Sequence, residues 1–155
     1  MKKILPALAL SLLSTFVHAG CTLTSNMDRE TRQVWLKHGG WKLDSDAQVE
    51  SFERNCQLLK KHGLAIQVSA NSAVLTNVSM GYAIVMLKDF QHNIYTADYA
   101  NYHTATNTYA SNDKAEELMS LAIVQSFVGW RYESLENAVR SMLAVRRDVR
   151  EAYKK

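Results

Sequence analysis

The chain has 155 residues, 47% hydrophobic and 21% charged, with one proline and six glycines; these are the proportions of one folded domain and exclude a disordered or low-complexity polypeptide. Its formal net charge of +3 falls to +1 once Lys2 and Lys3 are assigned to a leader, because sixteen basic residues then face fifteen acidic ones. That balance excludes the strongly basic surface on which nucleic-acid binding depends.

Met1-Lys2-Lys3 is a positive head, Ile4 to Val17 is an apolar run, and Val17-His18-Ala19 places small residues three and one before a cleavage point. This pattern predicts a signal peptide over 1–19 and a single globular domain over 20–155, exported to the periplasm. The remaining chain of about 135 residues is long enough for one core. Ala19-Gly20-Cys21 also resembles the end of a bacterial lipoprotein signal, although His18 stands where such signals usually carry an aliphatic residue. That resemblance implies an alternative, an outer-membrane lipoprotein anchored through Cys21.

Cys21 and Cys56 are the only cysteines. In an oxidising compartment an even pair predicts one disulfide, whose loop closure would stabilise the fold by roughly 3–4 kcal/mol. Acylation of Cys21 and a bond to Cys56 exclude each other.

Ser25 or Asn26 is placed to cap a helix running to about His38, with Asp28 and Glu30 in its first turn and Gly39-Gly40 as its stop. Asp44-Ser45-Asp46 starts a second helix, on which Val49, Phe52, Cys56 and Leu59 form one apolar stripe before His62-Gly63 ends it.

The stretch from Leu64 to Asn112 carries only three charges, Lys88, Asp89 and Asp98, and Leu64 to Leu87 carries none. Its many polar uncharged residues exclude a membrane span and predict a buried segment. Leu64, Ile66, Val68 and Ala70 alternate as a strand would, whereas Ala70, Val74, Val78, Gly81 and Val85 keep a helical spacing with Met80, Ile84 and Leu87 on another side. The spacing predicts a helix over about 69–90, apolar on several faces and therefore central in a bundle. No Asn-Gly or Asp-Gly hairpin signal is present. The expected fold is all-α, a compact bundle of about five helices around that buried hydrophobic helix. The alternative is α+β, with short strands within 64–87.

After a break at Gln91-His92-Asn93, Tyr95, Tyr99, Tyr102, Thr106 and Tyr109 recur at intervals of 4, 3, 4 and 3, which predicts one tyrosine-bearing helix face. From Asp113 onward the chain is rich in charge, and two amphipathic helices are expected, one starting at Asp113 with Glu116 and ending at Gly129-Trp130, the other capped by Ser134. Arg140, Arg146, Arg147 and Arg150 are interleaved with Glu136, Asp148 and Glu151 on the last helix, as on a solvated face.

Catalytic signatures do not emerge. The chain has no HExxH, GxSxG, P-loop or CxxC pattern. His38 and His62 fall at helix ends, Asp98 and His103 are poorly phased, Glu116-Glu117 point apart, and only His92 with Asp89 pair across a bend. The expectation is therefore no enzyme, no metal and no cofactor. Tyr95, Tyr99, Tyr102 and Tyr109 form the candidate partner-binding surface, because tyrosine offers stiff contact area with a polar tip. The function expected is a periplasmic protein-binding module, most concretely an inhibitor or immunity-type protein that binds a toxin or hydrolase. Its partner would be another envelope protein or a second copy of itself.

Overall fold

The structure is a computed structural model that describes residues 20–153, apart from the side chains at 97 and 98. The expected signal peptide over 1–19 lies outside the described residues. The elements run β1 (Ser25–Asn26), α1 (Arg29–Lys37), α2 (Asp46–Lys61), β2 (Ala65–Leu75), β3 (Val78–Asp89), β4 (Ile94–Asn107), α3 (Asn112–Val128) and α4 (Tyr132–Ala152). The strands form one mixed sheet in the order β1-β2-β3-β4, with β1 parallel to β2 and the other pairs antiparallel. The fold is thus α+β, which overturns the expected all-α bundle.

The correction falls on the uncharged stretch. The helix expected over 69–90 is a hairpin, because the alternation that starts at Leu64 does not stop at Ala70. In β3, Ser79, Gly81, Ala83, Val85, Leu87 and Asp89 are all buried, while the residues between them are exposed or half-buried. A spacing of four keeps residues on one face of a strand as well as near one face of a helix, so Ala70–Val74 fits both periods, whereas Val78 lies past the turn and pairs with Leu75 on the other face. Dense Val, Ile, Thr and Tyr tips the balance toward strand. The hairpin turns through Thr76-Asn77, between the Leu75–Val78 pair. Among the described residues only Asn93 is non-glycine with positive φ, so this turn never needed Asn-Gly. Asn93, at φ 51°, instead serves the turn between β3 and β4.

The tyrosine-rich segment is likewise a strand, β4, rather than a helix. Ser25 and Asn26, expected to cap the first helix, pair with Ile66 and Gln67 instead, and Asp28 caps α1 by accepting from the Thr31 backbone N–H at 2.8 Å. The last helix starts at Tyr132, ahead of the expected Ser134 cap. Ser45 and Ser111 cap α2 and α3.

The helix buried on most of its sides is α3, which the sequence led us to expect as an amphipathic cover. This helix lies across β2, β3 and β4 and buries residues on nearly every side, from Ala115 to Val128. It sits so low on the sheet that a Cβ at Gly81 would collide with the Met119 nitrogen and the Leu118 carbonyl carbon. Glycine is required there by close approach of backbone to backbone. Ser126 Oγ donates to the Ala83 carbonyl at 3.1 Å, and Asn101 donates to the Ser126 carbonyl at 2.7 Å, so polar groups in this contact are satisfied.

The opposite side of α3 meets α1 and α2, and α4 packs beside α2 and reaches β3 and β4. Trp41 stands at the centre of an aromatic group, with ring centroids 5.3 Å from Trp35, 5.2 Å from Phe52 and 5.5 Å from Phe127. Buried Asn55 donates from Nδ2 to the carbonyls of Phe127 and Trp130, both at 3.1 Å, and so satisfies backbone acceptors at the end of α3. Cys21 and Cys56 are joined, with Cα atoms 6.1 Å apart, and the bond fastens the start of the described chain to the inward stripe of α2.

Candidate functional site

All the helices that contact the long strands leave one side of the sheet uncovered. The inner side carries the small and aliphatic residues that α3 requires. On the outer side β3 presents Met80, Tyr82, Ile84 and Met86, none of which is buried. Register extends this face across its neighbours: Tyr82 pairs with Asn71 and Thr104, Ile84 with Ser69 and Tyr102, and Met86 with Gln67 and Ala100. Cross-strand partners project to the same side of a sheet. Among the described side chains the result is an uncharged surface of aromatic, methionine, threonine and amide groups, with Lys88 at one end.

The four tyrosines do not act as one row. Tyr102 is 75% exposed and Tyr95 60% exposed, and both belong to the outer face through their pairing with Ile84 and Lys88. Tyr99 falls in an irregularity of β4, where the four residues from Thr96 to Tyr99 stand opposite Leu87 alone, and its carbonyl accepts from Thr96 Oγ1 at 3.1 Å. Tyr109 is 69% exposed but lies past the far end of β4, where its carbonyl accepts from Ser79 Oγ. The structure therefore joins Tyr95 and Tyr102 to Tyr82, Ile84, Met80 and Met86, which sequence reasoning had consigned to the interior. The sign that could have found them is the large–small alternation along β3 itself, with bulky residues at even positions and Ser79, Gly81 and Ala83 between them.

The expected enclosure of the apolar half by charged helices holds on one side only. Val85 is fully buried, whereas Val74, near the hairpin tip, is 39% exposed.

Two polar clusters lie elsewhere. At the end of β3, buried Asp89 accepts from Arg146 Nε at 2.7 Å and the Gln91 backbone N–H at 2.9 Å, and its second contact on Oδ2 is His92 Nδ1 at 2.8 Å. Burial pushes the Asp89 carboxyl up, but the hydrogen bonds from His92 and Arg146 and the Arg146 charge outweigh it and hold the group below its ordinary value. Arg146 also donates to the His62 carbonyl at 3.1 Å, so a single guanidinium ties α4 to the β3–β4 turn and to the end of α2. Arg146 thus leaves the solvated arginine face expected from the sequence. The His92 ring is 3.4 Å from Arg150 Nε on its other nitrogen. A cationic donor at that position opposes the role of a general base, which needs a nucleophile's proton within reach.

The second cluster joins α1 to α3. Lys37 Nζ donates to Asp113 at 2.8 Å and to Glu116 at 2.7 Å, and these bonds raise the lysine to about 12 while lowering both carboxyls. His38 Nε2, Asp113 and Glu116 bring possible metal-ligating atoms within 4.8 Å of one another, and the Lys37 ammonium contacts both carboxylates and offsets one of their two charges. The adjoining cavity, lined in part by His38, Gly40, Ser120 and Val124, holds about 200 Å³, less than a typical small-molecule site. His103 pairs with Ala83 in the sheet and is half-buried, apart from either cluster.

No family model matches this chain, and neither a curated protein nor a solved structure matches it. Among the described residues no helix is long and apolar enough to cross a membrane.

Proposed function

We propose that this chain is an exported, periplasmic protein-binding module that docks onto another protein of the bacterial envelope through the outer face of its sheet. The most concrete version is an inhibitor or immunity-type protein that covers a toxin or hydrolase. The observation that carries the reading is the exposure of Tyr82, Ile84, Tyr95 and Tyr102 together on a face that lacks charge around its centre. Aromatic and aliphatic groups grouped in this way favour burial against a partner, and a surface without charge at its centre suits the dry middle of an interface. The bond between Cys21 and Cys56 supports the soluble form over the lipid-anchored alternative, since the Cys21 sulfur is already used.

The test is capture from envelope extract by the immobilised mature protein, compared with a Tyr82→Ser, Tyr102→Ser variant whose circular dichroism matches the parent. A partner retained by the parent and lost by the variant supports the reading. A partner held equally by both places the docking surface elsewhere. Intact-mass measurement of the protein purified from its own envelope decides between an oxidised cysteine pair and acylated Cys21.

A further inference from the structure

We infer that, in the absence of a target, the outer sheet face is closed by the same face of a second copy, so that the resting form is a symmetric dimer with which the target must compete. The inference rests on the reading of this face as a docking surface and adds what occupies it at rest.

Three features favour a second copy. The first is size. The ladder between β2 and β3 runs over eleven consecutive pairs, from Ala65–Lys88 to Leu75–Val78, and β4 continues it on the far side. The three long strands at ~4.8 Å spacing and about 3.3 Å per residue give a flat footprint of roughly 500 Å². Side-chain relief brings its accessible area near the ~800 Å² per partner of a standard stable interface.

The second feature is electrostatic. A two-fold interface places each group against its own symmetry mate's surroundings, so any charge near the axis meets like charge. Among the described side chains the centre carries none. Lys88 is the charged residue placed on this face by the register, and it lies four residues along β3 from Ile84. With the axis at Ile84, the two Lys88 side chains stand at opposite ends, about 26 Å apart and beyond the ~8–10 Å screening length at physiological salt.

The third feature is symmetry of the pattern. Ile84 sits at the middle of β3 and is paired with Tyr102, the most exposed tyrosine in the sheet. Aligned stacking about that point sets Tyr82 of one copy against Met86 of the other, twice, and sulfur beside an aromatic ring is a favourable contact.

Sedimentation equilibrium of the disulfide-intact mature protein, from about 1 to about 500 µM, reads the outcome directly. The parent is expected to show a reversible monomer–dimer equilibrium. Ile84→Glu and, separately, Tyr102→Lys should weaken it by about a hundredfold by burying unpaired charge at the axis, while Arg140→Glu on exposed α4 should leave it unchanged. Both face variants project into solvent in the monomer, and retained circular dichroism shows that each still folds. Ile84→Cys adds the chain's only free thiol, and spontaneous covalent dimer under mild oxidation would place the two Ile84 positions side by side. A parent that remains monomeric throughout overturns the resting dimer while leaving capture of a target by this face to its own test. A dimer that survives both face variants shows that the copies meet elsewhere and overturns the inference, while capture of a target by the outer face keeps its own test.

Discussion

The two faces of the sheet use similar residues to opposite ends. On the inner face a glycine and an alanine in β3 admit the α3 backbone to within van der Waals contact, and Val85 and Leu87 are fully buried. On the outer face of the same strand, larger side chains such as Tyr82 and Ile84 remain open. Small residues here mark the side where the core is tightest, and large ones the side that lacks a cover. Apolar character alone does not say which side of a strand is inside. The size of the residues, and what must fit against them, does.

Substitutions break this comparison in graded fashion. The largest effect is expected at Gly81, where valine would have to displace the α3 backbone. Gly81→Val should cost about 4 kcal/mol or more, or abolish folding, as read by a urea unfolding curve. Asp89→Asn comes next, because it leaves the Arg146 guanidinium, which is largely buried, without its anion. A loss of about 3 kcal/mol is expected at neutral pH.

The same aspartate gives a pH signature. Its carboxyl is held below the ordinary 3.8 in the folded chain, so the unfolded chain takes up the proton first as acid is added. Its stabilisation is complete above about pH 4 to 5 and is lost as pH falls through the lower folded value. The gap in urea midpoint between parent and Asp89→Asn should therefore be widest at neutral pH and narrow below pH ~4. A gap that widens in acid would refute the assigned sign.

The β-hairpin was legible in part. Alternation at Leu64, Ile66, Val68 and Ala70 is the true signal of β2, and the Ser45 and His62-Gly63 boundaries of α2 are local chemistry that the fold preserves. What hid the rest of the sheet was the outer face. A strand normally exposes polar residues on its free side, and here that side is apolar, so β3 reads as hydrophobic all round and mimics a buried helix. The tyrosine spacing misled for a related reason. The irregularity from Thr96 to Tyr99 shifts the phase of β4, so a strand acquires intervals of 4 and 3. The Arg146–Asp89 contact joins residues far apart in the chain and has no local signature at all.

Intermediate effects fall at the two fastenings of the helical layer. Cys56→Ser should lower stability by about 3 kcal/mol, an effect reproduced by reducing the parent, since both release the same loop. Asn55→Ala strands the Phe127 and Trp130 carbonyls in the interior and should cost about 2 kcal/mol, with a shift in tryptophan emission because Trp35, Trp41 and Phe127 lie close by. The smallest effects belong to the open side. Tyr82→Ser and Tyr102→Ser should change the stability of the dilute monomer by less than about 0.5 kcal/mol, and a much larger loss at that dilution would mean that these rings are covered within the monomer.

The disulfide has a consequence for the far border of the sheet. β1 is two residues long, and its hold on β2 consists of the pairs at Ile66 and Gln67, the hydrogen bond from Ile66 N–H to the Thr24 carbonyl and a contact between the Asn26 and Gln67 amides. Leu23 and Met27, packed against the core on either side, and the covalent tether at Cys21, four residues earlier, add to that hold. Reductant would loosen this selvage and bare the backbone donors and acceptors at the Ile66–Gln67 end of β2. Among the described residues the rest of that margin, from Val68 to Leu75, has no strand beside it in either redox state, so the bond guards one end of one edge.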